Sequence, residues 1–316
     1  MSTLQGMVEP ETAGNPMNAE KWIRSSLRYL SEQMKGKGYP ACPKTIGRLL
    51  QSLDYSLKSN AKRDGGSQHP DRNTQFEYIE AQKQLFLSNG WPVVSIDAKK
   101  KELIGNFKNA GQIWRLEADI VYDHDFASLA LGRAVPYGLY VLNNNRGYVH
   151  VGRSADTAEF AVDALSWWWH DFGQHDFPGA PCLLILCDCG GSNGYRLRLW
   201  KAQVQEKLAD TLRLDVSICH YPTGASKWNP VEHRLFGPIS INWAGIPLRT
   251  FDIMLACLRG TTTQPRLFVQ ACLNQHVYAR GIKTPDTVMQ SLNLERHATC
   301  PNWNYTIRPR IATTCA

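Results

Sequence analysis

The stretch Trp91-Pro-Val-Val-Ser-Ile-Asp-Ala-Lys-Lys-Lys-Glu-Leu-Ile-Gly-Asn106 opens on an apolar run rich in β-branched residues, Val93, Val94 and Ile96. The run ends on a single acid, Asp97, and three consecutive lysines follow. Such a pattern reads as a buried strand that delivers a carboxylate to a sheet edge, beside a flexible cationic loop. A carboxylate in that place either ligates a hard divalent cation such as Mg²⁺, which prefers oxygen donors, or caps a turn.

The same arrangement recurs downstream. Cys182-Leu-Leu-Ile-Leu-Cys187 is wholly apolar and reads as a central strand ending on Asp188. The glycines of Cys189-Gly-Gly-Ser-Asn-Gly194 allow a sharp turn, and a helix is expected from Arg196 to about Thr211. A third acid lies in Ser226-Lys-Trp-Asn-Pro-Val-Glu-His-Arg-Leu-Phe236. Asn229 suits an N-cap and Pro230 the first helical position, which sets Glu232 in the first turn of a helix. Two strand-end aspartates and a helical glutamate can converge on two divalent cations. Such pairs of ions clamp the attacking and leaving oxygens of a phosphoryl transfer.

These segments resemble the DDE transposases of bacterial insertion sequences, specifically the Rhodopirellula-type transposase DDE domain family. The matching stretches are His69-Pro-Asp-Arg72, Gln75-Phe-Glu-Tyr-Ile79, Ser95 to Asn109, Pro136-Tyr-Gly138, Asp188 to Gly194, His220 to Phe236 and Trp303-Asn-Tyr-Thr-Ile307. The resemblance covers nearly the whole chain. It implies an α/β fold, an RNase H-like mixed sheet with flanking helices, whose catalytic and metal-binding triad maps onto Asp97, Asp188 and Glu232. It further implies Mg²⁺ or Mn²⁺, two ions, and double-stranded DNA as partner, both element terminal repeats and target DNA.

Composition is compatible with this. The 316 residues suggest about two domains, and the net charge of +7 permits a nucleic-acid partner. No apolar run is long enough for a membrane span and no secretory signal opens the chain. Nine scattered cysteines fit reduced thiols in a cytosol better than a disulfide framework, and the family resemblance implies a cytoplasmic, nucleoid-associated bacterial protein. A zinc site from Cys182, Cys187, Cys189, Cys219 and His220 is disfavoured, because no Cys-x-x-Cys pair exists and strand residues alternate faces.

Four regions follow along the chain. Residues 1–63 read as a helical, helix-turn-helix-like DNA-binding region, after an irregular leader to about residue 19. Its helices are expected at Ala19–Met34 and Lys44–Leu53, with Lys44, Thr45 and Arg48 opening the second. Basic residues between Tyr55 and Arg63 add charge. A polar linker and a helix fill residues 64–89. The catalytic domain occupies residues 90–245, with strands at Tyr137–Leu142, Gly147–Val151 and Leu214–Cys219 and a helix from Asp156 or Thr157 to Trp169. Trp167, Trp168 and Trp169 at helical spacing are better core than base-stacking residues. Residues 246–316 read as a helical C-terminal region, with helices at Leu248–Leu258, Leu267–Ala279 and Pro285–Leu292.

Within the catalytic region, Lys99, Lys100 and Lys101 are candidates for phosphate contact, against the plainer reading of a solvated charge run. Lys227, Trp228 and Asn229 are candidates for positioning DNA. His220 and His233 either assist proton transfer or are hydrogen-bonded structural histidines. Asp119, Asp123 and Asp125 rank second as metal ligands, because no central strand ends at them. The leading function is a DNA transposase that cleaves and joins strands at insertion-sequence ends, as a homo-oligomer on DNA. Members of the family that this chain resembles usually carry a further helical region upstream of the part matched by Met7-Val-Glu-Pro-Glu-Thr12. The alternatives are therefore an N-terminally shortened, catalytically inactive DNA-binding remnant, and an RNase H-like nuclease without joining activity.

Overall fold

The computed structural model describes residues 25–57 and 69–311, with short pieces at 3–4, 6–7, 12–14 and 21–23. The polar linker from Ala61 to Gln68 and most of the leader lie outside the described residues. The chain divides into two compact units, Met1–Asp64 and Gly65–Ala316.

In the first unit a two-stranded antiparallel ribbon pairs Thr12–Gly14 with Lys21–Ile23. Helix α1 spans Leu27–Gly36 and α2 spans Pro43–Gln51. The expected first helix therefore begins later than Ala19. The Ser26 hydroxyl accepts from the Tyr29 N–H and supplies a local start signal that the apolar spacing alone did not reveal. Leu30 and Met34 of α1 pack with Ile46 and Leu50 of α2 and with Leu4. That packing leaves Lys44, Thr45 and Arg48 exposed, with Thr45 and Arg48 one turn apart on α2.

The second unit is built on a nine-stranded mixed sheet. Its strands are β1 (Val93–Ala98), β2 (Glu102–Ile104), β3 (Gly132–Val141), β4 (Arg146–Gly152), β5 (Cys182–Cys187), β6 (Asp215–His220), β7 (Phe268–Asn274), β8 (Leu294–Arg296) and β9 (Asn304–Ile307). They lie in the order β8-β9-β6-β5-β1-β3-β4-β7, with β2 pairing β3. The inner five run β4-β3-β1-β5-β6, an antiparallel hairpin and β1 followed by two parallel strands. Parallel neighbours need crossovers, and helices supply them. Helix α4 (Ala158–Trp168), capped by the Thr157 hydroxyl, joins β4 to β5. Helix α5 (Arg198–Gln203), extended by wider turns to Asp210, joins β5 to β6. This is the RNase H-like order that the sequence implies.

Side chains alternate between two faces, as the period of a strand requires. Val94, Ile96, Leu183, Ile185 and Cys187 join α4 and α5 in one core, which also holds Trp168 and Trp169. On the opposite face, Val93, Leu184 and Leu186 meet Ile79 and Phe86, residues of the helix Arg72–Ser88 (α3). A third cluster packs Tyr140, Val149 and Val151 under Val231, Leu235 and Phe236.

The C-terminal segment differs from its expected helical character. Helix Phe251–Arg259 is present and Asp286–Gln290 forms a short one, but the stretch read as a helix from Leu267 contains β7. Its Phe-Val-Gln-Ala-Cys-Leu-Asn has apolar residues at both periods, so spacing does not discriminate. Parallel pairing with β4 settles the choice, burying Val269 and Ala271. Strand β9 pairs antiparallel with β6 at the other side. The sheet therefore continues beyond residue 245 and draws both of its outer edges from the C-terminal segment.

Candidate active site at the ends of strands β1 and β5

Strands β1 and β5 are adjacent and parallel, pairing Val93 with Leu184 and Ser95 with Leu186. Two residues further on, that register sets Asp97 opposite Asp188. Both acids thus stand together where two central strands end, because the two apolar runs that precede them pair in register. The Ala98 N–H donates to Asp97 Oδ1 over 2.7 Å. Glu232 enters from the helical run that starts at Pro230, and its N–H donates to the Asn229 carbonyl over 3.1 Å. The run passes through a wide turn, Glu232–Phe236, into helix Gly237–Asn242 (α6).

Two glycines let this helix approach the sheet. Gly138 of β3 lies opposite Asp97 in register. A Cβ at Gly138 would stand 2.3 Å from the Phe236 ring, and one at Gly147 would stand 2.3 Å from Leu235 Cδ1. Only glycine leaves room for helix and sheet to touch there. In sequence Gly138 ends the Pro136-Tyr-Gly138 stretch and Gly147 opens an expected strand, and neither contact follows from those readings. Their signal is glycine inside an otherwise apolar strand, which marks close approach of another element.

The electrostatics follow from geometry. Burial and the neighbouring carboxylates of Asp188 and Glu232 raise the Asp97 pKa well above the usual carboxylate range, against the opposing hydrogen bond from Ala98. Burial likewise pushes Asp188 up to about 6, opposed by the hydrogen bond from Asn229. Three carboxylates are hard oxygen donors, and among the described residues none of them is ion-paired to lysine or arginine. In donor chemistry the set suits Mg²⁺ or Mn²⁺. In spacing, among the described residues no group of three or more His, Cys, Asp or Glu side chains is gathered tightly enough to hold a metal ion.

The other candidates separate. Lys100 and Lys101 are exposed, whereas Lys99 is half-buried with its ammonium 5.1 Å from the Trp243 ring centre. Its pKa is lowered by burial, although Glu102 and Glu232 pull it back up. Lys227 and Trp228 are exposed beside Glu232, with the lysine over the indole ring. His233 is exposed, and its Nε2 meets the Lys227 carbonyl.

Two candidates lie inside the protein instead. Asn229 is fully buried, so it offers no surface to DNA. His220 is fully buried at the end of β6, beside Cys187 of β5, with Nδ1 2.9 Å from the Asp188 carbonyl and Nε2 3.2 Å from the Tyr305 hydroxyl. Burial lowers its pKa to about 4, and both ring nitrogens face partners inside the protein. The two histidines were indistinguishable in sequence because each lies close in sequence to an acid. Asp119 of the second-ranked acids pairs with Arg115 and Arg249, while Asp123 and Asp125 are exposed. Cys187 contacts His220, but every cysteine among the described residues is free.

The fold is RNase H-like, with carboxylates at the ends of its central strands. The chain belongs to the family of the Rhodopirellula transposase DDE domain, whose model matches residues 3–309. No curated protein matches the sequence. Among solved structures it is similar to the mariner Mos1 paired end complex with Mg, at 12% identity and a TM-score of 0.43, covering 79% of this chain and 67% of that one. It is also similar to the Mos1 transposase paired-end complex with left transposon end, at 11% identity, a TM-score of 0.41 and the same coverages.

Proposed function

We propose that this protein is a DNA transposase whose chemistry is carried by Asp97, Asp188 and Glu232. The observation that supports it best is the β1–β5 register, which ends two strands from distant parts of the sequence side by side, each followed by an aspartate, with Glu232 near enough to act on Asp97. Divalent cations, when bound, supply Lewis-acid charge to the oxygens of a scissile phosphodiester. Asp97, Asp188 and Glu232 are the residues that would hold such cations. Strand cleavage by water and joining by a freed 3′ hydroxyl are both in-line displacements at phosphorus, so one site serves both.

The exposed Lys100, Lys101, Lys227 and Trp228 flank the acids and engage the DNA backbone near the reacting phosphate. Lys99, packed on Trp243, is the member of the triplet that faces Glu232. In the first unit Lys44, Thr45 and Arg48 are a separate DNA contact. Two element ends must be held together for joining, which calls for more than one copy of the chain.

The test is a cleavage and joining assay on the terminal repeats of the encoding element, with Mg²⁺ or Mn²⁺, comparing wild type with Asp188→Ala. Metal-dependent cleavage and joining, both lost in the variant, is the expected result. Activity that survives Asp188→Ala refutes the site. Cleavage without joining leaves a plain nuclease, and binding without chemistry leaves a DNA-binding remnant.

A further inference from the structure

Asn229 occupies the N-cap position of the helix that carries Glu232, yet its side chain does not cap that helix. It turns inward, is fully buried, and makes three hydrogen bonds to other segments. The Ser95 hydroxyl of β1 donates to Asn229 Oδ1 over 2.5 Å. Asn229 Nδ2 donates to the Ile96 carbonyl over 3.0 Å and to Asp188 Oδ1 over 3.1 Å. Ser95 Oγ in turn accepts the Val231 N–H over 2.9 Å, and so replaces the missing cap from across the interface.

This network fixes its own orientation. The serine has one proton and the amide has two, and all three are committed. Flipping the amide would set its oxygen against two acceptors, the Ile96 carbonyl and the Asp188 carboxylate. Ser95 lies two residues before Asp97 on the same strand, and Val231 immediately precedes Glu232. One buried amide and one hydroxyl therefore connect the segments that carry all three acids. A helix cap needs none of this, since Asn229 could have bonded its own first turn. The bond to Asp188 is the one that a merely structural asparagine has no reason to make.

We infer that Asn229, oriented by Ser95, is the positioning residue of the site: it ties the Asp188 carboxylate to the strand of Asp97 and the helix of Glu232, so that a divalent cation has only to draw the three acids closer. The inference rests on the proposed metal-dependent function. Groups that orient metal ligands through hydrogen bonds are worth about 10- to 100-fold in metal affinity.

The test is Mn²⁺ titration of the full-length, DNA-free protein, followed by electron paramagnetic resonance of free Mn²⁺. Wild type is compared with Asp188→Ala, Asn229→Ala and Ser95→Ala, each checked for a cooperative melt. Asn229→Ala is expected to weaken binding about 10- to 100-fold, and Ser95→Ala severalfold. In the strand-cleavage assay, raised Mn²⁺ is expected to restore Asn229→Ala but not Glu232→Ala. Wild-type affinity in Asn229→Ala, with binding lost in Asp188→Ala, overturns the inference and leaves the functional reading intact. Wild type that binds no Mn²⁺, or Asp188→Ala that binds it normally, refutes the functional reading itself. If Asn229→Ala does not fold, Ser95→Ala decides, and unchanged affinity there overturns the inference.

Discussion

Asp97 concentrates the conflict between stability and chemistry at the scale of a single residue. Its carboxylate is largely buried and faces two others, an arrangement that costs folding energy unless positive charge is supplied. Replacing it with the isosteric Asn removes the cost of burying a group that must be either charged beside other carboxylates or protonated against its ordinary titration. Asp97→Asn is expected to raise the stability of the metal-free protein by ~1–2 kcal/mol, read as an increase in denaturation midpoint. The same variant loses the further stabilisation that Mn²⁺ gives to wild type. A midpoint equal to or below that of wild type would contradict the electrostatic account.

His150 gives a residue-scale prediction about pH, remote from the acids. It is buried on β4 between the Phe160 and Trp167 rings, meets Cys272 Sγ and Asn274 Nδ2, and has Asp163 as its charged neighbour. Burial lowers it to about 4. The unfolded chain, with an ordinary value of about 6.5, takes up the proton first. The contribution to stability is therefore fully present above about pH 6.5 and is lost as pH falls towards 4, by ~2–3 kcal/mol in all. Melting temperature measured across that window should fall less steeply for His150→Gln than for wild type.

At the scale of elements, the close contact between Glu232's helix and the sheet is the sensitive joint. Gly138 and Gly147 leave the β3–β4 surface bare where Phe236 and Leu235 lie on it. Gly138→Ala forces the aromatic ring away, and overpacking of this kind costs ~1–3 kcal/mol. Because the displaced helix carries Glu232, cleavage should fall by more than the loss of folded protein explains. Phe236→Leu in the same chain should recover part of both. The measurement is urea denaturation alongside the cleavage assay. A variant with full activity would show that the helix has slack that the geometry does not indicate.

For the molecule as a whole, the C-terminal segment completes the sheet. Strand β7 covers the β4 edge and β9 covers the β6 edge, so residues after 245 are structural members of the second unit. A side-chain network reinforces β9. Asn304 and Gln75 of α3 exchange hydrogen bonds of 2.6 and 2.7 Å, and Gln75 also donates to the His220 carbonyl. Truncation after residue 245 leaves two long sheet edges unpaired, a known route to aggregation. The shortened chain is expected to be insoluble or to lack a cooperative melt, by sedimentation and circular dichroism. A soluble, cooperatively melting product would show that the inner five strands suffice.

Much of this was readable along the chain. The apolar runs of β1 and β5, the acids that end them, Thr157 and the helix it caps, and the start of Glu232's helix at Pro230 are all local in origin. Each depends on residues within a turn or a strand length of one another, and their chemistry is therefore written in sequence order. What the chain order does not contain is who meets whom. Whether Phe268–Asn274 became helix or strand depended on β4, and whether His220 faced solvent depended on Tyr305. Asn229 looked like a cap or a DNA contact until Ser95 and Asp188 came within hydrogen-bond reach. The sequence by itself determined the inner strands β1, β3, β4, β5 and β6, the start of the helix at Thr157, and where the three candidate carboxylates fall along the chain. Tertiary packing alone decided the sheet edges and which polar groups were buried, because a buried polar group takes whichever partner the fold brings to it.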